Sequence, residues 1–436
     1  MFSPWSQKKD AAARPDSSRL NEVGYAAQYL GAAGSPDRIA ADELMNCLLS
    51  DAIRLHASDI HIEPWETSIV VRMRIQGSLV RIVDIPLEVH DRLIGRLKVM
   101  ADLARFEVSK PQEGHAPVDF DHGMVQLRVS LFPVKRGEKA AIRLFNKHDR
   151  SFKLEDLGLE EESHYKLARL LSAPFGTILF SGPTGSGKTT LMYSALCYLS
   201  RIYGDTVSIA TVEDPVEFNL PSISQGEINP ANEVTYPTAL RSLMRQDPQV
   251  ILIGEIRDAE TASIALQAGL TGHLVLSSIH SPNSSGVFTR LTHMGMEPFV
   301  LASSILGVVA MRLLPQNCPN CLEPYTPEPA LLHLLAPAQR DEAIFRRGGG
   351  CAHCQGTGVS RRRPVTEILE VKESVCDAIM ARAPSAAIQR AAQGCGMETL
   401  WQAGIRQVMN GETRMDLLLR SIVPDALGPA QNEQAP

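Results

Sequence analysis

The segment Gly182-Pro-Thr-Gly-Ser-Gly-Lys-Thr189 constrains this chain more than any other. It fits G-x4-G-K-[ST], the pattern of a phosphate-binding loop. Gly182, Gly185 and Gly187 let backbone N–H groups turn inward around phosphate oxygens, and the helix that follows adds the positive end of its dipole. Lys188 is a mobile charge for β- and γ-phosphates, and the Thr189 hydroxyl can ligate Mg²⁺. Pro183, Thr184, Ser186 and Thr190 complete the cradle. Chance would produce the four fixed positions in about one or two chains per hundred of this length. Here an apolar strand pattern at 177–180 leads in and a helical pattern from about Thr189 leads out. Further short apolar strands at 207–212, 250–253 and 274–279 alternate with helical patterns, which implies a parallel sheet covered by helices.

The first third of the chain has a different rhythm. Residues 1–37 are Ala, Ser, Pro and charge, and read as a mobile leader. An amphipathic helix is expected over 39–56 and another over about 87–103. Between them Val71, Met73 and Ile75 alternate with Arg72, Arg74 and Gln76, and Gly77-Ser78 makes a turn into 79–85. Val125, Leu127, Val129 and Leu131 alternate in the same way, and 141–144 repeats the theme. Period two means half-buried strands, here an antiparallel sheet with helices on one face. The expected organisation is an α+β domain over 38–150, a larger α/β domain over 151–422 and a frayed tail over 423–436.

Lys plus Arg number 43 and Asp plus Glu 49, a net charge of −6. That argues against a protein held on nucleic acid by positive charge, so no nucleic-acid partner is expected. With 44% hydrophobic and 21% charged residues the composition is globular. The longest nearly uncharged apolar stretch, 299–311, falls short of the roughly 20 residues that cross a bilayer and reads as a buried helix. The N-terminus lacks the apolar core of a secretory signal, so a cytoplasmic protein, at most peripheral to a membrane, is expected.

Four of the eight cysteines form two pairs, Cys318-Pro-Asn-Cys321 and Cys351-Ala-His-Cys354, separated by the stretch 322–350. In a reducing compartment the pattern suits a tetrahedral zinc site of four thiolates, with His353 as a spare ligand. No water-activating neighbour is evident, so the metal is expected to be structural. Cys47, Cys197, Cys376 and Cys395 stand singly in apolar context and read as core fillers.

Glu213, Asp214 and Glu217 follow a predicted strand at its C-terminal end, where parallel sheets put their ligands. They either orient a water or Mg²⁺, or form a solvated turn around Asp214-Pro215. Val250-Ile-Leu-Ile-Gly-Glu-Ile-Arg-Asp258 has the form of a Walker B strand, with Glu255 placed to reach Mg²⁺ or the attacking water. Arg257 either contacts phosphate or pairs with Asp258. His273 and His280 bracket the next strand, and at least one is expected to sense the γ-phosphate. Arg128, Arg143, Arg241 and Arg245 are either solvated or, in a ring ATPase, charge supplied to a neighbouring subunit's nucleotide.

Together these segments resemble the secretion ATPase superfamily, the motors of type II secretion and type IV pilus assembly. The resemblance runs from Ala57-Ser-Asp-Ile-His-Ile-Glu-Pro64 to near the C-terminus. It includes the Walker A loop, an aspartate box at Glu213–Glu217, Gly254-Glu-Ile-Arg-Asp258 and a histidine box from His273 to His280. Leu240–Pro248 and Met294–Phe299 add to it. It implies a RecA-like P-loop ATPase domain preceded by a smaller, PAS-like α+β domain, with a four-cysteine zinc-type insertion at 318–354. It further implies a hexamer with ATP and Mg²⁺ between subunits, Glu217 as catalytic base, and Glu255, with Thr189, supporting Mg²⁺ and water. By the same resemblance Arg128 and Arg143 reach the nucleotide, and a membrane-embedded assembly platform at the inner membrane is the partner. Retraction motors generally lack the cysteine element, so assembly is favoured over pilus retraction or DNA uptake. The non-enzymatic alternative is a nucleotide-gated structural ring. Gln76, Arg361-Arg-Arg363 and the short leader depart from the family pattern, and the last leaves the mode of docking open.

Overall fold

Alternation in the N-terminal part becomes six antiparallel strands in the computed structural model, which describes residues 24–120, 123–146, 152–354 and 356–424. These are β1 (Ala57–Pro64), β2 (Ile69–Ile75), β3 (Ser78–Ile85), β4 (Gln112–Phe120), β5 (Gly123–Val134) and β6 (Gly137–Asn146). Their order is β3-β2-β1-β6-β5-β4, each neighbour antiparallel. Helices Ala41–Arg54 and His90–Met100 bury Leu44, Leu48, Leu93 and Leu97 against Ile60, Ile62, Met73, Leu127 and Val129 in one core. This is the PAS-like α+β unit.

Two details differ from the sequence expectation. The β2–β3 turn is Gln76-Gly77, one residue earlier than Gly77-Ser78, with both φ angles positive at 48° and 86°. That is the backbone of a two-residue hairpin turn, which favours glycine at its second position. The expected leader over 1–37 contains a helix, Tyr25–Ala33. Its first turn is capped from a distance: the buried Asp51 carboxylate accepts from Tyr25 N (2.9 Å) and Ala26 N (3.0 Å). Nothing local in 24–34 announces it.

The second unit is built on a seven-stranded sheet. In chain order its strands are β7 (Gly176–Ser181), β8 (Ile209–Glu213), β9 (Ser224–Glu227), β10 (Val250–Ile253), β11 (Leu274–Ile279), β12 (Ile305–Asn317) and Val359–Glu370. Across the sheet the order is Val359–Glu370, β12, β7, β11, β10, β8, β9, and the pairs from β12 to β9 are parallel. Successive strand residues feed two separate cores. Ile251, Ile253, Val275 and Ile279 join one, while Ile178, Phe180, Leu252 and Leu276 join the other. Helices therefore cover both faces, as a parallel sheet requires. The apolar stretch 299–311 is not one buried helix: Pro298–Ser304 is helical and Ile305 begins β12. A short apolar run carries no periodicity to separate the two, and pairing with β7 makes it strand from Ile305 onward.

Among the described residues, the first unit by contacts comprises those up to 146 together with 318–323 and those within 348–361, and the second comprises 152–317, 324–347 and 362–424. Among the described residues no helix is long and apolar enough to cross a membrane. The expected tail beyond 424 lies outside the described residues.

Candidate active site

The register of the sheet brings the expected motifs to one edge. Ser181 lies opposite Ile279, and Ile253 lies opposite both Ser277 and Val212. The residues that follow, Gly182, His280, Gly254-Glu255 and Glu213, therefore share the C-terminal edge of the strands, where open α/β sheets bind ligands.

The phosphate loop leaves β7 and enters the helix Lys188–Tyr203. Gly182, Gly185 and Gly187 all have positive φ (150°, 77° and 96°), which admits glycine and strains other residues. A Cβ on Gly182 would stand 2.7 Å from Met311 O, so space forbids a side chain as well. Lys188 Nζ donates to Gly182 O (2.7 Å) and Pro183 O (3.0 Å), and curls over its own loop. Burial pulls the Lys188 ammonium below its ordinary pKa, while Glu255 and Glu217 oppose that shift. Both carboxylates thus act on the loop's lysine. The Ser186 hydroxyl is buried without a hydrogen-bond partner. An unused donor beside a lysine resting on carbonyls fits a polyphosphate cradle. Thr189 and Thr190 occupy the first turn of the following helix.

The three acidic residues after β8 divide their work. Glu213 is buried, and its carboxylate is occupied by Tyr193 Oη, Thr211 Oγ1 (2.6 Å) and Gln225 Nε2 (3.2 Å). It is a core acceptor and not a free ligand for Mg²⁺. Asp214, half exposed, lies 3.5 Å from Arg257 Nη1. The Glu217 main-chain N donates to Tyr193 Oη at 3.3 Å. Tyr193 therefore ties the helix after the phosphate loop to Glu217. Sequence reasoning missed it, because its only signal was an aromatic at a buried helical position.

Glu255 follows Gly254, whose Cβ would meet Tyr236 Oη at 2.8 Å. Glu255 pairs with Arg257 and lies 3.5 Å from His280 Nε2. Arg257 joins Glu255 to Asp214, not to Asp258. Asp258 instead caps the helix Ala259–Leu270 through Thr261 N (2.8 Å).

The histidines separate. His280 follows the last residue of β11 and faces Glu255, whereas His273 precedes its first residue at the opposite edge of the sheet. There its Nδ1 lies 3.1 Å from Ala268 O, and its carbonyl accepts from Gly176 N. A strand of six residues puts the two about 20 Å apart, so a nucleotide at the phosphate loop is out of reach of His273. Arg128 and Arg143 are cross-strand neighbours in the first unit and pair with Glu113 (2.9 Å) and Asp59 (3.0 Å). Arg241 pairs with Glu260 on the surface.

The second cluster gathers four thiols that could hold a metal ion. The Sγ atoms of Cys318, Cys321, Cys351 and Cys354 all lie within 4.8 Å of one another. Backbone N–H groups of Gly350, Cys351 and Gly358 point at Cys321 and Cys354 sulfurs at 3.1–3.3 Å. Four converging sulfurs with N–H donors fit a closed tetrahedral thiolate site. His353 is exposed and outside the cluster.

A parallel sheet with a glycine-rich phosphate loop, a Walker B glutamate and a histidine at its C-terminal edge defines a RecA-like P-loop ATPase domain. The chain belongs to the Type II/IV secretion system protein family, which it matches over residues 36–420. It is 37% identical over 386 residues to the Type II secretion system ATPase E of Vibrio cholerae, covering 88% of this chain and 76% of that one. It is 36% identical over 387 residues to the Type IV pilus assembly ATPase PilB of Myxococcus xanthus, covering 88% and 68%. The X-ray structure of the Legionella pneumophila ATPase DotB superposes with a TM-score of 0.63 at 19% identity, covering 86% and 94%, and has the same fold.

Proposed function

We propose that this chain is an Mg²⁺-dependent ATPase that drives assembly of a type II secretion pseudopilus or a type IV pilus. The observation that carries the proposal is the convergence of Lys188, Glu217, Glu255 and His280 on the phosphate loop. Lys188 would leave its two carbonyls for the β- and γ-phosphates. Thr189 and Glu255 would hold Mg²⁺, which when bound neutralises charge developing on the phosphates. Glu217 would orient the attacking water and accept its proton, and His280 would report the γ-phosphate through Glu255. The four-cysteine site would hold a structural Zn²⁺. Relatives named for secretion and pilus assembly support a motor of that kind, which by the family resemblance would work at the cytoplasmic face of the inner membrane on an assembly platform. The cysteine element supports assembly over retraction. Closure of a homo-oligomer, a hexamer by resemblance, would bring Arg128 and Arg143 to a nucleotide shared between subunits.

The test is steady-state ATP hydrolysis by Lys188→Ala and Glu217→Gln chains. Lys188→Ala is expected to lose ATP binding and turnover. Glu217→Gln is expected to keep binding and lose turnover by about a hundredfold or more. Full activity of Lys188→Ala would sink the assignment, and tight binding without turnover in the unmodified chain would favour a nucleotide-gated ring.

A further inference from the structure

We propose that Arg312 is a positioning residue for ATP hydrolysis: its guanidinium straps the loop after His280 to the phosphate loop and so sets where His280 stands. The inference rests on the proposed role of His280 at the nucleotide. It starts from register. β12 runs parallel to β7 with Ala310 opposite Ser181, so Met311 and Arg312 come alongside Gly182. A Cβ on Gly182 would lie 3.2 Å from Arg312 Nη1, which puts the guanidinium directly against the loop's first glycine.

The fork of Arg312 then spans two elements. Nη1 donates to Met311 O at 2.8 Å and Nη2 to Pro282 O at 2.5 Å. Both acceptors are neutral carbonyls. Burial depresses the guanidinium's pKa, and its charge is one of the forces that depress Lys188. Two half-buried cations side by side at a phosphate loop are costly unless an anion joins them. The same loop is fixed at its other end. Ser284 N donates to Glu367 Oε1 at 2.8 Å, and the second oxygen of this buried carboxylate accepts from Leu400 N at 3.0 Å. Ahead of both points, Ser181 Oγ donates to Ser281 O at 3.0 Å. The span 281–284 is thus clamped by Arg312 at Pro282 and by Glu367 at Ser284, with His280 immediately before it. A planar fork serves two carbonyls at once, whereas lysine offers a single compact charge.

The full chain is compared with Arg312→Ala, Arg312→Lys, His280→Ala and the Arg312→Ala/His280→Ala double variant. Arg312→Ala is expected to lower kcat about tenfold with KM for ATP within about threefold, the signature of an interaction needed in the transition state. Arg312→Lys should not restore the rate. The double variant should be no slower than about twofold below the slower single variant, because both losses act through one group. Thermal midpoints should stay within about 3 °C of the unmodified chain. A normal kcat for Arg312→Ala beside an impaired His280→Ala would overturn the inference and leave the site reading standing. Normal rates in both would remove the His280 role and the inference together. Full rescue by lysine, multiplicative losses, or a collapse of the thermal midpoint in both Arg312 variants would each overturn the strap.

Discussion

At the scale of single residues, the site depends on a hydroxyl that no motif contains. Tyr193 Oη donates to the buried Glu213 carboxylate and accepts from Glu217 N. Burial and the adjacent carboxylate raise its pKa, so it stays a neutral donor at any working pH. Edge contacts with Phe152 and Phe218, at centroid distances of 5.4 and 6.3 Å, hold the ring itself. Tyr193→Phe keeps those contacts and deletes only the hydroxyl. Glu213 then loses a donor and the Glu217 backbone loses its anchor. The expected result is a kcat lower by about tenfold with little change in KM, and a stability loss of about 1–3 kcal/mol. Paired steady-state kinetics and denaturant unfolding check it, and an unchanged kcat would show that Glu217 is positioned by other means. The same scale shows what sequence spacing conveys. Lys188 and Glu255 were legible because glycine patterns and a strand-ending acid have few other uses. By position alone Glu213 and Glu217 were equivalent, and the family resemblance singled out Glu217; packing gives the physical reason that Glu213 is a buried acceptor. His273 misled because two histidines close in sequence can stand at opposite ends of one strand.

At the scale of elements, the centre of the first sheet is held by charge as well as by apolar burial. Glu63 on β1 accepts from Arg72 on β2 (2.5 Å) and Lys139 on β6 (2.6 Å), and so spans three adjacent strands. Burial pushes the Glu63 carboxyl up, but bonds from Lys139 and Arg72 outweigh it and hold the pKa below the ordinary value. A carboxyl with a depressed folded pKa stabilises above its unfolded pKa and loses that contribution as pH falls through the folded value. Glu63→Gln is therefore expected to cost about 1–2 kcal/mol at neutral pH. Its thermal midpoint should converge on that of the unmodified chain as pH falls from the ordinary carboxylate value of about 4 through the lower folded value, below which both carry an uncharged group. A gap that persists at low pH would mean that shape, not charge, matters there. The cysteine element makes a different prediction. Four thiols this close, with backbone donors aimed at their sulfurs, are stable chiefly with a cation among them. About one zinc per chain is expected by elemental analysis, and Cys351→Ser or a strong chelator should release it and lower the thermal midpoint by about 5 °C or more. Metal-free protein with an unchanged midpoint would refute a structural metal.

At the scale of the whole molecule, the two sheet types were readable because antiparallel and doubly covered parallel strands carry different hydrophobic periods. What escaped was set by distant partners: the helix Tyr25–Ala33 is capped by Asp51, and β12 takes its form from pairing with β7. Lys188, Glu217, Glu255 and His280 gather at one edge, and Arg312 beside the loop is committed to Met311 O and Pro282 O, so none of these offers an uncommitted positive charge for a leaving phosphate from outside the loop. Arg257 is committed to Glu255 and Asp214, and Arg128 and Arg143 are paired within their own sheet. If a neighbouring copy supplies that charge, hydrolysis per chain must depend on how many chains are assembled. Specific activity is expected to rise with protein concentration and level off where light scattering shows the oligomer complete, with Lys188→Ala as the blank. Arg128→Ala and Arg143→Ala should lower the plateau by about tenfold or more without moving the assembly midpoint, the size of effect seen when a transition-state charge is removed. Activity that is flat down to concentrations where the chain is monomeric would place every catalytic group within one subunit. The further charge would then have to come from within the chain, from Arg312 beside the loop or from Arg257 released from Glu255 when nucleotide binds.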